Sequence, residues 1–213
     1  MSVAIALGMG LVLGLRHATD ADHVAAVATL LQRELGTTGA ARIGAFWGLG
    51  HSVVLIAAAA LMQFTGVVVP ARFAFAAELG VCAMLVALGV IGVRRAWRRG
   101  APAEQHAHDI KTTHVHRALG VGAMHGLAGS SAAVLLAAAS NRELSPIAFM
   151  TLFSAGTVLG MALTTTLLGH ALHRASRRSD RAHRSLLTVA SASSIVLGVV
   201  LGALLLRGAA GAG

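Results

Sequence analysis

Charge is scarce in this chain. Only 12% of its 213 residues are Asp, Glu, Lys or Arg, about half the share found in an ordinary soluble domain. So thin a supply cannot clothe a water-facing surface, which argues against a soluble enzyme. Tyrosine is absent and Trp47 and Trp97 are the only indoles, so any aromatic belt at a membrane interface is sparse. The single cysteine, Cys82, excludes an intrachain disulfide, a CxxC redox pair and a thiolate zinc site. Lying in an apolar run, it reads as a small buried hydrophobe. The three prolines, Pro70, Pro102 and Pro146, fall between apolar runs or at the start of one, where a missing N–H breaks no helix. What is abundant is apolar surface: 56% hydrophobic residues and a mean hydropathy of +0.75. That excludes disorder. The 25 glycines follow no three-residue period, which excludes a collagen-like chain. An all-α, polytopic membrane protein remains.

A bilayer crossing needs roughly 20 mostly apolar residues. Six runs qualify, at about 2–31, 43–69, 73–93, 118–139, 146–169 and 186–206. Residues 1–15 carry no Lys or Arg ahead of the first run, unlike the basic start of a cleavable leader. This run therefore reads as a retained first span. With six crossings, Lys and Arg divide thirteen to three between the two sides, Arg16 lying within a span. The rich side is the cytoplasm, so both termini are expected outside it, in a multi-pass protein of a bacterial-type plasma membrane. The formal charge of +9 thus marks membrane loops rather than a nucleic-acid partner.

The halves resemble each other. GLRHATDADHVAAV from Gly14 lines up with GAMHGLAGSSAAVL from Gly122, setting His17 on His125. Three spans per half put the halves in opposite orientations. The expected plan is one membrane domain of two inverted three-helix repeats, 2–93 and 118–206, joined by a cytoplasmic loop at 94–117. Five of the six spans also hold a Gly-xxx-Gly step, at Gly10/Gly14, Gly44/Gly48, Gly122/Gly126, Gly156/Gly160 and Gly198/Gly202. Such steps let helix backbones approach closely in lipid.

The first span carries Arg16, His17, Asp20, Asp22 and His23 within eight residues. Each ionisable group inside a span costs about 2.5–3.5 kcal/mol, so the cluster points to function. Imidazole and carboxylate together suit divalent first-row metals. On an ideal helix His17, Asp20 and His23 share one drifting face, while Asp22 points about 140° away from His17. Either the helix unwinds, or a carboxylate supports a histidine rather than touching the ion. The first helix is therefore expected to be bent or broken around a polar pocket. His51, in Gly48-Leu-Gly-His-Ser, is the natural ligand from a neighbouring helix. His125 divides evenly between ligand and structural readings. Glu78 reads as a solvated carboxylate near the outer interface. The loop from Glu104 to His116 holds four histidines, suited to weak metal capture or to plain solvation.

The run Arg16-His17-Ala-Thr-Asp20-Ala-Asp22-His23 resembles the His-x4-Asp-His signature of the nickel/cobalt transporter (NiCoT) family, and Leu49-Gly-His51-Ser-Val-Val resembles its second signature. The resemblance implies that His17, Asp22, His23 and His51 handle the divalent ion, with Asp20 on the motif's other acidic position. Members of that family have eight spans and a later acidic signature that this sequence lacks. His125-Gly-Leu-Ala-Gly-Ser instead resembles the shorter nickel-permease-like and urease-accessory membrane proteins of the same superfamily.

The reading that follows is a transporter, not an enzyme, with no resident cofactor. Its cargo would be Ni2+ first and Co2+ second, taken up by alternating access at a midplane site. Three others stand beside it: efflux; an accessory protein passing nickel to a cytoplasmic chaperone for urease or hydrogenase maturation; and a membrane metal-dependent hydrolase using Asp20 as base. No GxxxxGK[ST] loop is present, so energy comes from gradients or a partner. Neutral imidazole is the ligating form, so flux should fall as the medium is acidified through about pH 6.5. A pH profile of nickel flux in liposomes checks this.

Overall fold

The computed structural model describes residues 3–31, 36–67, 69–97, 115–129 and 146–211. These form seven helices and, among the described residues, no strand. They are α1 (Val3–His17), α2 (Ala21–Leu30), α3 (Gly36–Thr65), α4 (Ala71–Trp97), α5 (115–129), α6 (Pro146–Arg178) and α7 (Asp180–Gly211). By length and composition, α3 from Thr37, α4, α6 and α7 can each cross a bilayer. With 15 and 10 residues, α1 and α2 rise only about 22 and 15 Å, short of the ~30 Å hydrocarbon core.

The first apolar run is broken, and side chains break it. No proline or glycine occupies 18–20. Thr19 turns its hydroxyl onto the Arg16 carbonyl at 2.6 Å, and its backbone N–H goes to the same oxygen at 2.9 Å. Asp20 takes extended dihedrals as the N-cap of α2. Short polar side chains that compete for backbone groups favour such exits. Asp22 then sits in the first turn of α2, where the helix dipole favours an anion.

Helix ends depart from the hydropathy count in two places. Arg94 and Arg95, expected in the central loop, form the last turn of α4, where cations meet the negative end of the dipole. The basic stretch 174–184 is not a loop. The helices run through it and leave only Ser179 between α6 and α7, and Ser179 Oγ caps the new helix by accepting the Ala182 N–H at 3.0 Å. The rest of the expected central loop (98–114), including His106, His108 and His114, lies outside the described residues, as does the end of the fourth expected span.

The helices pack in two groups. In one, α6 lies against α3 and α1, and α5 lies against α3. In the other, α4 and α7 pair and α2 packs on both. Glycine sets the closeness. A Cβ at Gly14 would collide with the Phe153 carbonyl, one at Gly156 with that of Leu11, and one at Gly122 with that of Trp47. The Gly-xxx-Gly steps are therefore contact points between backbones. Large side chains such as Phe64, Leu167 and Val189 face outward, as lipid solvation requires.

Gly156→Ala forces a methyl into the α1 backbone, whereas Gly120 has nothing within 4 Å of the same position. Thermal unfolding in detergent should show Gly156→Ala destabilised by about 1–3 kcal/mol. Gly120→Ala should be neutral or stabilising, by up to ~1 kcal/mol of helix propensity.

Candidate metal centre

The break delivers the chemistry. His17 ends α1 and His23 lies in the first turn of α2, so the two imidazoles fold onto each other with centroids 4.5 Å apart. His51 comes from the middle of α3, its ring 5.2 Å from His17 and 5.3 Å from His23. One ring nitrogen from each of the three lies within 4.8 Å of the others. His23 and His51 are buried, at 2% and 1% exposure.

Both carboxylates of the first run support a ring. Asp20 Oδ2 is 2.8 Å from His17 Nδ1, and Asp22 Oδ1 is 2.9 Å from His23 Nδ1. A carboxylate accepts, so each Nδ1 carries the hydrogen and each Nε2 keeps its lone pair. Fixing a histidine through its other nitrogen is how proteins orient a metal-ligating ring. The His17 and His51 Nε2 atoms stand 3.2 Å apart. At that distance they share either one hydrogen or one cation. His23 Nε2 is buried with no hydrogen-bond partner among the described residues. Asp20, Asp22 and His23 also form a second set of donors within 4.8 Å of one another. Both alternatives left by helix geometry hold together: the helix unwinds, and the carboxylates brace histidines. Arg16 is exposed.

Three residues of this centre were not among those picked from the sequence as ligands. His125 donates Nδ1–H to the Val121 carbonyl at 3.2 Å and turns a buried Nε2, without a hydrogen bond among the described residues, toward Asp22 Oδ2, 3.9 Å away. Its ring lies 5.0 Å from that of His23. Trp47, which the sequence offered only as one of two indoles, is 1% exposed and packs on both His23 and His125. Glu78, read from the sequence as a solvated carboxylate, is not fully exposed. It is half-buried and lines a cavity shared with His17, Asp22 and His23. The pairing of His17 with His125 in the internal alignment was the one available signal.

Long apolar helices around a buried cluster of imidazoles and carboxylates fit the class of membrane proteins with donors for a metal ion. The comparisons with known proteins agree. The family described as high-affinity nickel-transport protein (NicO) matches residues 3–119, over half of the 213 residues, and the chain belongs to that family. It is accordingly a nickel-transport family membrane protein and not an enzyme. It is 29% identical over 208 residues to the urease accessory protein UreH of a Bacillus species, covering 91% of this chain and 88% of the relative. A 52-residue stretch is 44% identical to the hydrogenase nickel incorporation protein HupN of Bradyrhizobium diazoefficiens, covering 24% of this chain and 14% of that one. No solved structure matches the chain.

His125→Ala should leave the His17–His23–His51 grouping assembled while removing one wall of the Trp47 site. The expected result is a shifted Trp47 emission with unchanged unfolding temperature to within a few degrees, about 1 kcal/mol. Fluorescence and thermal melts in detergent read the two together.

Proposed function

We propose that this chain carries Ni2+, and less readily Co2+, inward across a bacterial plasma membrane, with His17, His23 and His51 as nitrogen ligands. Asp20 and Asp22 offset the ion's charge and hold the rings. The observation that carries this reading is the convergence of three imidazoles, two braced at Nδ1 by carboxylates, where α1, α2 and α3 meet. Imidazole suits nickel, and water can complete its shell. An inside-negative potential favours a doubly charged cargo by about 4.6 kcal/mol per 100 mV, which supports uptake over efflux.

Six crossings complete the scheme: α1 with α2, then α3, α4, α5 with the residues after it, α6 and α7. The halves 2–93 and 118–206 are two inverted repeats, both termini lie outside the cytoplasm, and 94–117 is the cytoplasmic loop. Contacts that recur between the halves support this. Gly14 meets the Phe153 carbonyl as Gly122 meets that of Trp47. Gly156 meets Leu11 as Gly50 meets Leu119. Gly198 meets Cys82 as Gly89 meets Ser191. The α1 and α5 partners keep the register that sets His17 on His125, and the α3/α6 and α4/α7 partners depart from it by two residues and one. Inverted repeats put substrate near the midplane at the repeat interface, where one group can rock against the other.

A second reading, delivery of nickel through a cytoplasmic chaperone to urease or hydrogenase maturation, draws on the likeness to UreH along nearly the whole chain. It assigns the His-rich loop an essential part. Radiolabelled nickel flux in proteoliposomes tests both. Transport through the proposed site requires His51→Ala to abolish flux, and Asp22→Asn to raise the half-saturating nickel concentration about 10–100-fold. Wild-type flux in both variants would remove the site. Deletion of 104–116 should spare flux in vesicles. If it does so while nickel no longer reaches the cytoplasmic enzyme in cells, delivery is a second task of the chain.

A further inference from the structure

Glu78 needs a reason to be where it is. Apart from Asp180, the first residue of α7, it is the one carboxylate in the four long apolar helices, and none of the ion pairs among the described residues involves it. A carboxylate inside a span is costly and is retained for something it does. It lines a cavity of about 270 Å³ whose other polar walls are His17, Asp22, His23, Cys82 and His125, closed on the α7 side by apolar residues such as Leu201. His125 adds a second pointer to a ligand, since its Nε2 is buried without a hydrogen-bond partner among the described residues. Six waters need roughly 180 Å³ at their liquid volume, so a hydrated divalent cation fits.

The cavity also has a side. Glu78 lies about 10 Å along α4 from its start, Ala128 and Gly129 end the described part of α5, and Leu201 and Leu205 lie in the second half of α7. In the topology proposed above, the Glu78 and Leu201–Leu205 stretches lie toward the outer leaflet, while Ala128 and Gly129 sit midway along the fourth crossing, so the cavity extends from the midplane to the outer side. We propose that this cavity is an outward-facing capture station, in which Glu78 holds a hydrated divalent cation before it exchanges water for the His17, His23 and His51 nitrogens. The chemistry is graded along the path. Carboxylate and water suit an ion that keeps its hydration shell, and imidazoles suit one that has shed part of it. Asp22 faces both stations, with Oδ1 on His23 and Oδ2 toward His125. This inference rests on the transport reading for its direction and on the cavity for its residues.

Cys82 is the only cysteine in the chain and lines the cavity, so it reports on the station without any substitution. A membrane-impermeant cationic methanethiosulfonate added outside proteoliposomes of known orientation should modify it, and Ni2+ should slow that reaction. In Glu78→Gln the slowing should be lost and the half-saturating external nickel should rise about tenfold, the lower end of what losing a supporting carboxylate does to metal affinity. Glu78→Asp should recover most of both, which separates ion capture from a folding defect. Equal Cys82 modification with and without nickel, or access only from the cytoplasmic side, would overturn the station. So would an unchanged half-saturation in a transporting Glu78→Gln. Flux that vanishes in His51→Ala while Glu78→Gln behaves as wild type sinks the station and leaves the transport site standing. A wild-type protein that carries no nickel sinks the transport reading, and nickel protection of Cys82 then still decides the station.

Discussion

The structure depends on two short hydrogen bonds, His17 to Asp20 and His23 to Asp22. Imidazoles and carboxylates are among the most expensive groups to seat in a low-dielectric interior. Seated separately, each would draw water or lose its charge. Seated in pairs, each carboxylate finds a donor and each ring is locked in one tautomer with a lone pair projecting from the far side. The break at 18–20 then folds the first pair onto the second, with the His17 and His23 rings 4.5 Å apart. Asp20 therefore serves the backbone as an N-cap and the site as a brace. Its carboxylate is spent on His17, which is why it makes no side-chain cap bond to α2.

A polar centre of this kind needs walls that do not yield, and the glycines provide them. Where Gly50, Gly122 and Gly126 let α3 and α5 touch backbone to backbone, Trp47 and His51 are left only 1% exposed. Close approach replaces the hydrophobic effect, which does not act between helices in lipid. The same contacts explain why small residues crowd the spans while bulky ones face outward.

Much of this could be read from residue order alone. His17, Asp20, Asp22, His23 and His51 stood out because a charge or imidazole in a span demands a cause, and helix periodicity already required that the first span give way. The structure agrees with that break and with the all-helical class. What sequence order concealed was direction. Glu78 looked solvated because hydropathy locates a residue along a span but not around it. His125 had no ionisable neighbour in its own span to mark it, and Trp47 stood out only as one of two indoles. The basic stretch at 174–184 was taken for a loop because arginine is common in loops, although it is also a good helix former.

The division of the helices into two packed groups carries a consequence for how a cargo would leave. His17, His51 and His125 stand on the group built around α6, whereas Asp22, His23 and Glu78 stand on the group built around α4 and α7. The donors therefore straddle a parting line that the chain crosses at 18–20, at Ser179 and at the other turns between the groups. A cation lodged across such a seam has no separate door to wait for. In the transport cycle proposed above, a slip of the two groups by roughly the 2 Å of a metal–nitrogen bond would dismantle the cage, and shutting the seam would rebuild it around the next ion.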